Sequence, residues 1–268
     1  MAKLSITTIQ SNLHWEDKAA NLVMLESKIK SINEKTHIVV LPEMFSTGFS
    51  MNSAELAEPM DGVTVRWMKR ICKEKNIILT GSIIIKEENK FYNRLIWMQP
   101  DGNFGCYDKR HLFGLSSEHN YYAPGNKRLI ATVNGWRINL QVCYDLRFPV
   151  WARQRPSLTD EQYAAEFDML IYVANWPERR NHAWKSLLMA RAIENQSYVV
   201  GVNRVGKDNK EINHSGDSMI IGPLGEVLYH KFNEEDIFTI TLEKENLDKV
   251  RADLPFLKDG DHFSIINE

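Results

Sequence analysis

Asn139-Leu140-Gln141-Val142-Cys143-Tyr144-Asp145-Leu146-Arg147-Phe148-Pro149 is the stretch on which the rest of the chain is organised. Its apolar run up to Val142 predicts a buried strand, and Phe148-Pro149 restricts the backbone so that a turn must follow. A cysteine at the tip of a strand, with a polar turn behind it, is a candidate exposed nucleophile. The other reading makes Cys143 a small hydrophobe closing a core strand, and cysteine statistics on their own favour it.

Working outward, Asn134-Gly135 is the strongest short hairpin signal in the chain and joins strands over Leu129–Val133 and Trp136–Val142. Downstream, a charged stretch from Arg153 to Glu166 leads to Met169–Ala174, a strand that stops at Asn175-Trp176-Pro177. Ala183–Asn195 has Trp184, Leu187, Leu188 and Ala192 on one side of a helix. Strands are expected at Ser197–Val202, Met219–Ile221, Val227–Tyr229 and Ile237–Leu242, before a short helix over Glu243–Val250.

Upstream, Lys3–Gln10 alternates like a strand, and Trp15, Ala19, Leu22, Leu25, Ile29 and Ile32 mark one face of a helix. Ile38–Leu41 reads as a strand buried on both faces, and Trp67, Met68 and Ile71 as a second helix. Ile77–Leu79 and Ile83–Ile85 are strand material; Phe91–Met98 is a further strand, closed by the turn signal Pro100-Asp101-Gly102-Asn103. Asp108–Asn126 has no period and reads as a long loop of the kind that carries function. With no repeats or linker-like stretches, residues 1–268 read as one domain of the α/β class, a layered mixed-sheet system covered by helices.

Composition narrows the function. Hydrophobic residues make up 43% and charged residues 25%, as in an ordinary globular chain, and the net charge of −2 gives no electrostatic case for nucleic acid or an anionic membrane. No apolar stretch approaches the ~20 residues of a membrane span, and Met1–Ile6 lacks the features of a signal peptide. Cys72, Cys106 and Cys143 are far apart, which argues against a disulfide framework and fits a cytoplasmic, reducing setting.

Three polar residues follow predicted strands: Glu43 after Leu41-Pro42, Lys109 at the head of the long loop, and Cys143. Ligands of α/β sheets bind beyond the carboxyl ends of strands, so these three are candidates to converge. Their chemistry is complementary, since a carboxylate can activate a thiol and a fixed ammonium can stabilise an oxyanion. Spacing alone leaves each residue a plain alternative: a local loop acid, a surface charge beside Arg110, a core cysteine.

The trio resembles the glutamate–lysine–cysteine triad of the nitrilase, or carbon–nitrogen hydrolase, superfamily. Leu41-Pro42-Glu43, Asp108-Lys109-Arg110-His111-Leu112 and Cys143-Tyr144-Asp145-Leu146-Arg147-Phe148-Pro149 are similar to its three motifs, in order. Similarity continues through Ala174-Asn175-Trp176-Pro177, Ala190–Gln196, Gly201-Val202-Asn203-Arg204 and Leu254–Asp259. Tyr144-Asp145, where true nitrilases usually carry Trp-Glu, resembles the amidase branch and the omega-amidases in particular.

The resemblance implies an α-β-β-α sandwich, commonly dimeric, that needs no metal or organic cofactor. It implies Cys143 as nucleophile, Glu43 as base and acid, and Lys109 with the Tyr144 backbone N–H as the oxyanion hole. Glu118 matches a second family glutamate that orients Lys109 or the hydrolytic water. The implied substrate is a small amide, the terminal amide of 2-oxoglutaramate or 2-oxosuccinamate, whose far carboxylate needs a cationic or hydrogen-bonding partner. Arg147 is a candidate for that partner, with burial against Asp145 as its alternative. Trp176 and Phe113 are candidates to wall the pocket, and His111 and His119 read as loop hydrogen-bonders. The competing functions are a carbamoylase or other amidase of the superfamily, and a non-catalytic binding protein on the same scaffold.

Overall fold

The computed structural model describes residues 2–155 and 165–266. In chain order the strands and helices are β1 (Lys3–Gln10), α1 (Lys18–Lys30), β2 (Ile38–Val40), α2 (Ser53–Leu56), α3 (Val63–Lys75), β3 (Ile78–Glu87), β4 (Lys90–Met98), β5 (Phe104–Asp108), β6 (Leu129–Val133), β7 (Trp136–Val142), α4 (Pro149–Ala152), β8 (Met169–Val173), α5 (Asn181–Asn195), β9 (Tyr198–Val202), β10 (Val205–Lys207), β11 (Asn213–Ile221), β12 (Val227–Phe232), β13 (Asp236–Glu243) and α6 (Lys244–Asp253). The charged stretch around 156–164 lies outside the described residues.

Two mixed sheets pack face to face. The first has the order β13-β1-β2-β3-β4-β5, and the second β10-β11-β9-β8-β7-β6, with β12 paired to β11. Each is built round three neighbouring parallel strands, β1-β2-β3 and β7-β8-β9. Parallel neighbours need crossovers, and helices supply them. α1 carries the chain from β1 to β2, and α5 from β8 to β9.

The burial pattern explains the layering. In β2, Ile38 and Val40 join the core between the sheets, while Val39 and Leu41 face the helix layer. Both faces are apolar because both are covered, which is why this segment reads as a continuous apolar run. α1 and α3 cover the first sheet through Leu22, Leu25, Ile29, Met68 and Ile71. On the other side α5 lays Trp184 and Leu188 on the second sheet. Gly201 permits that approach, since a Cβ there would fall 2.5 Å from Leu188 Cδ1. The α-β-β-α sandwich is therefore observed directly. Among the described residues, no helix is long and apolar enough to cross a membrane.

Four local expectations change. Helix α1 starts at Lys18 because Asp17 caps it, its side chain accepting the Ala20 N–H at 2.9 Å, so Trp15 lies outside the helix. The two apolar pieces at 77–85 form one strand, β3, through Gly81-Ser82. The long loop contains two 3₁₀ turns, Gly114–Ser116 and Glu118–Asn120. Finally, β11 begins at Asn213, well before the apolar Met219, because its polar first half is buried against polar partners such as Gln10.

Candidate active site

Glu43 follows β2 on a segment strapped to β3. Leu41 N–H donates to Thr80 O at 2.8 Å, Met44 N–H to Ser82 Oγ at 2.9 Å and Phe45 N–H to Ser82 O at 3.1 Å. Gly81 makes room for this, since a Cβ there would meet Phe45 Cδ1 at 2.7 Å. The Glu43 carboxylate, 0% exposed, then joins the two sheets. Its Oε1 accepts from Asn93 Nδ2 in β4 at 2.8 Å, and its Oε2 from the Asn175 N–H just beyond β8 at 2.8 Å.

Lys109 is the first residue after β5, and its N–H donates to Asn93 O at 3.0 Å. Its ammonium, 1% exposed, donates to Glu43 Oε1 at 2.9 Å and to Glu118 Oε1 and Oε2 at 3.0 and 2.9 Å. Glu118 is presented by the second 3₁₀ turn and also accepts the Phe113 N–H at 2.6 Å. Burial works against the Lys109 ammonium, but Glu118 and Glu43 outweigh it and raise its pKa. Burial and then Glu43 push the Glu118 pKa upward against the opposing pull of Lys109.

Cys143 terminates β7 with φ 44°, a left-handed conformation that costs a non-glycine residue about 1–3 kcal/mol. The strain is held by Asp145 in the 3₁₀ turn that follows. Its carboxylate accepts from Val142 N–H at 3.0 Å, Tyr107 Oη at 2.7 Å and His111 N–H at 3.0 Å. From the α5 side, Arg191 Nη2 donates to Leu146 O at 2.6 Å. The result is a thiol at the bottom of a cavity, with Cys143 9% exposed. The β7–β8 register, Val142 opposite Val173, brings the Asn175 N–H to the same thiol. Burial and Glu43 raise the Cys143 pKa well above its ordinary value, while Lys109 and the Asn175 N–H pull it down.

The cavity has a volume of about 360 Å³, and Lys109 and Cys143 line it. Tyr144, Arg147, Phe113 and Trp176 line it too. The Tyr144 ring packs edge-on to Phe113 and Phe148, at 5.0 and 5.2 Å between centroids. Its N–H belongs to the first turn of the 3₁₀ segment, where backbone donors have no partner within the turn. Arg147 does not pair with Asp145, whose oxygens are taken by Tyr107, His111 and Val142. Its guanidinium lies over the Trp176 ring, 5.0 Å from the centroid. His111 stacks on Phe148 at 3.8 Å, and His119 is exposed.

Asn93 and Asn175, which hold Glu43, and Arg180, which lines the cavity, are residues that sequence reasoning missed. Asn175 follows the end of β8, and the strand-end rule that picked out Glu43 would have found it, whereas Arg180 lies farther on, in the 3₁₀ turn Glu178–Arg180. Asn93 sits inside a strand and carries no signal. The remaining thiols, Cys72 and Cys106, are pushed up to about 12 and about 11 by burial, which makes them inert near neutrality.

Residues 5–252 match the carbon-nitrogen hydrolase family, and the chain belongs to it. The sequence is 40% identical to the omega-amidase YafV of Escherichia coli (strain K12), over 99% of this chain and 100% of the relative. It is 31% identical to a 2-oxoglutaramate amidase of Bacillus subtilis, over 96% and 97% respectively. The crystal structure of XC1258 from Xanthomonas campestris, a CN-hydrolase superfamily protein with an arsenic adduct in its active site, is similar with TM-score 0.96. That chain is 41% identical, covering 99% of this chain and 100% of its own. The nitrilase-superfamily, omega-amidase-like resemblance is thus borne out, as is its enzyme class, a hydrolase acting on amides.

Proposed function

We propose that the protein is an omega-amidase: it hydrolyses the terminal amide of a short 2-oxo dicarboxylic acid monoamide to the acid and ammonia. The observation that carries this reading is the buried Glu43–Lys109–Glu118 cluster against the Cys143 thiol, on the floor of a cavity that also holds Arg147. The names of the Escherichia coli and Bacillus subtilis relatives support the substrate class.

The charges dictate the order of events. A free thiolate beside the Glu43 carboxylate is disfavoured, so Cys143 rests as a thiol and loses its proton to Glu43 as sulfur attacks the amide carbon. The developing oxyanion is met by Lys109 Nζ and the Tyr144 N–H. Lys109 has three donors; one serves Glu43, one can be shared by the two Glu118 oxygens, and the third is left for the oxyanion. Collapse breaks the C–N bond while Glu43 passes its proton to the departing nitrogen, which leaves as ammonia. Water then attacks the thioester and gives a proton to Glu43; the second collapse expels sulfur, which takes that proton back. Glu118 acts by positioning Lys109. Asn93 holds the Glu43 oxygen that faces Lys109, and the Asn175 N–H holds the other.

The test is ammonia release from a panel of 2-oxoglutaramate, 2-oxosuccinamate and N-carbamoyl amino acids, by the wild-type protein and by Cys143→Ala. The 2-oxo acid amides should turn over with the highest kcat/KM, and the variant should release none. Preference for the carbamoyl compounds would move the assignment to a carbamoylase, and undiminished release by the variant would remove Cys143 as nucleophile.

A further inference from the structure

Two guanidiniums line the cavity of the thiol with, among the described residues, no acid to answer them. Arg147 lies on the Trp176 ring, and Arg180 lies on the Phe113 ring at 5.1 Å from the centroid. Both are half-buried and line the cavity of Cys143. Among the described residues, neither has a carboxylate within ion-pair distance. The acids on the same cavity wall are engaged elsewhere. Glu16 accepts from Ser50 Oγ at 2.5 Å, and Asp208 from the N–H groups of Lys210 and Ile212 at 2.8 and 3.0 Å.

Half-burying an arginine without a counterion is unfavourable, and doing it twice in one cavity adds mutual repulsion. Burial first, then Arg179 and Arg147, lower the Arg180 pKa. The aromatic faces beneath them offset part of this cost, and an anion between the two would offset the rest. Aromatic faces suit the purpose, because they hold a weakly hydrated guanidinium in place while its N–H fork stays available.

Both platforms are fastened to the catalytic machinery. The Trp176 ring carries Arg147, while its Nε1–H donates to Arg180 O at 2.9 Å. The Phe113 ring carries Arg180 and packs on Tyr144, while its backbone N–H holds Glu118. The two arginines are therefore fixed relative to the thiol. Arg179 and Lys210 also reach the cavity but are exposed, where water competes for them.

We propose that Arg180 is a specificity-determining residue which, together with Arg147, forms a two-guanidinium subsite for the carboxylate at the far end of the amide substrate. Phe113 and Trp176 then act as platforms for the two cations. The inference rests on the amidase reading of this cavity and adds the residue that selects anionic amides over neutral ones.

The test compares kcat/KM for 2-oxoglutaramate and for pentanamide, which has an amide but no charge, in the wild-type protein, Arg180→Met and Arg180→Lys. Loss of a charge-assisted fork should lower the ratio of the two values by about tenfold to a hundredfold in Arg180→Met, mainly through KM. Arg180→Lys keeps charge without the fork and should fall between. A merely structural role would lower both substrates together and leave the ratio unchanged; that result, or a wild-type ratio near one, overturns the proposal. Calorimetric titration of 2-oxoglutaramate into Cys143→Ala and Cys143→Ala/Arg180→Met reads the subsite without turnover. At least tenfold weaker binding in the double variant supports the subsite, and equal affinity overturns it. Failure of the amidase reading would look different: no ammonia from either amide, whatever the titration reports.

Discussion

Glu43 exerts opposite effects on Cys143 at rest and during reaction. At rest its negative charge helps to hold the proton on sulfur; in the proposed reaction it is the group that takes that proton. Replacing Glu43 with Gln removes both influences, so two measurements should move in opposite senses. Turnover should fall by about 10²–10⁴-fold, the usual contribution of a general base. The midpoint of the pH profile for iodoacetamide alkylation of Cys143 should move to lower pH, because Lys109 then faces the thiolate with less opposing charge. A midpoint that rises in Glu43→Gln would show that the carboxylate does not hold the thiol protonated. Glu118→Gln should act through Lys109, which keeps a neutral partner but can shift. A displacement of this kind costs up to about 10²-fold in kcat, with the alkylation profile of Cys143 retained.

At the scale of elements, the site depends on how strands end. Glu43, Lys109, Cys143 and Asn175 each follow a strand within one to three residues, and that much was readable as motif and apolar run. What the sequence could not reveal was the fixing of those ends. Asn93 belongs to the middle of β4, and its polar side chain on a mixed strand has no local signature, yet it holds Glu43. Glu118 lies in a stretch without period, and only the 3₁₀ turns there, with Ser117 at φ 56°, bring its carboxylate to Lys109. β3 looked divided because Gly81-Ser82 interrupts the apolar pattern. The small residues are there for Phe45 and Met44, whose contacts hold the Glu43 segment.

Asp168 does for β8 and α6 what Asp145 does for the nucleophile turn. It is fully buried before β8 and meets Arg137, Lys244 and Arg251, with Arg251 Nη1 at 3.0 Å. Burial would raise its pKa, but the hydrogen bonds from Arg137 and the Lys244 ammonium beside it prevail and lower it. A depressed carboxylate pKa stabilises the fold above the unfolded value, near 3.9, and that stability is lost as pH falls through the folded value. Asp168→Asn should therefore cost about 3–5 kcal/mol at neutral pH. In urea unfolding series, the gap from wild type should be full at pH 7 and shrink below about pH 4. A gap independent of pH would mean that the variant acts by packing alone.

For the molecule as a whole, the site exists because two sheets meet. Glu43 and Lys109 come from the first sheet, Cys143 and Asn175 from the second, and the Glu43–Asn175 bonds cross between them. The face-to-face packing was legible only through resemblance: alternating helices and strands implied layers, but periodicity does not say which sheet faces which. The candidate residues were legible at strand ends, but spacing left each a plain alternative, and only the resemblance gave them the roles of nucleophile, base and oxyanion partner. Arg147 could be placed only by structure, because sequence proximity to Asp145 offered it a partner that Tyr107 and His111 in fact occupy.

Rapid-quench intact mass spectrometry of the wild-type protein with 2-oxoglutaramate is the most direct test of covalent amide hydrolysis at this site. A transient adduct with the mass of the 2-oxo acyl group should appear during turnover and map to Cys143, and Cys143→Ala should show neither adduct nor ammonia. Ammonia release by Cys143→Ala at the wild-type rate, with no adduct in either protein, would contradict the thioester route.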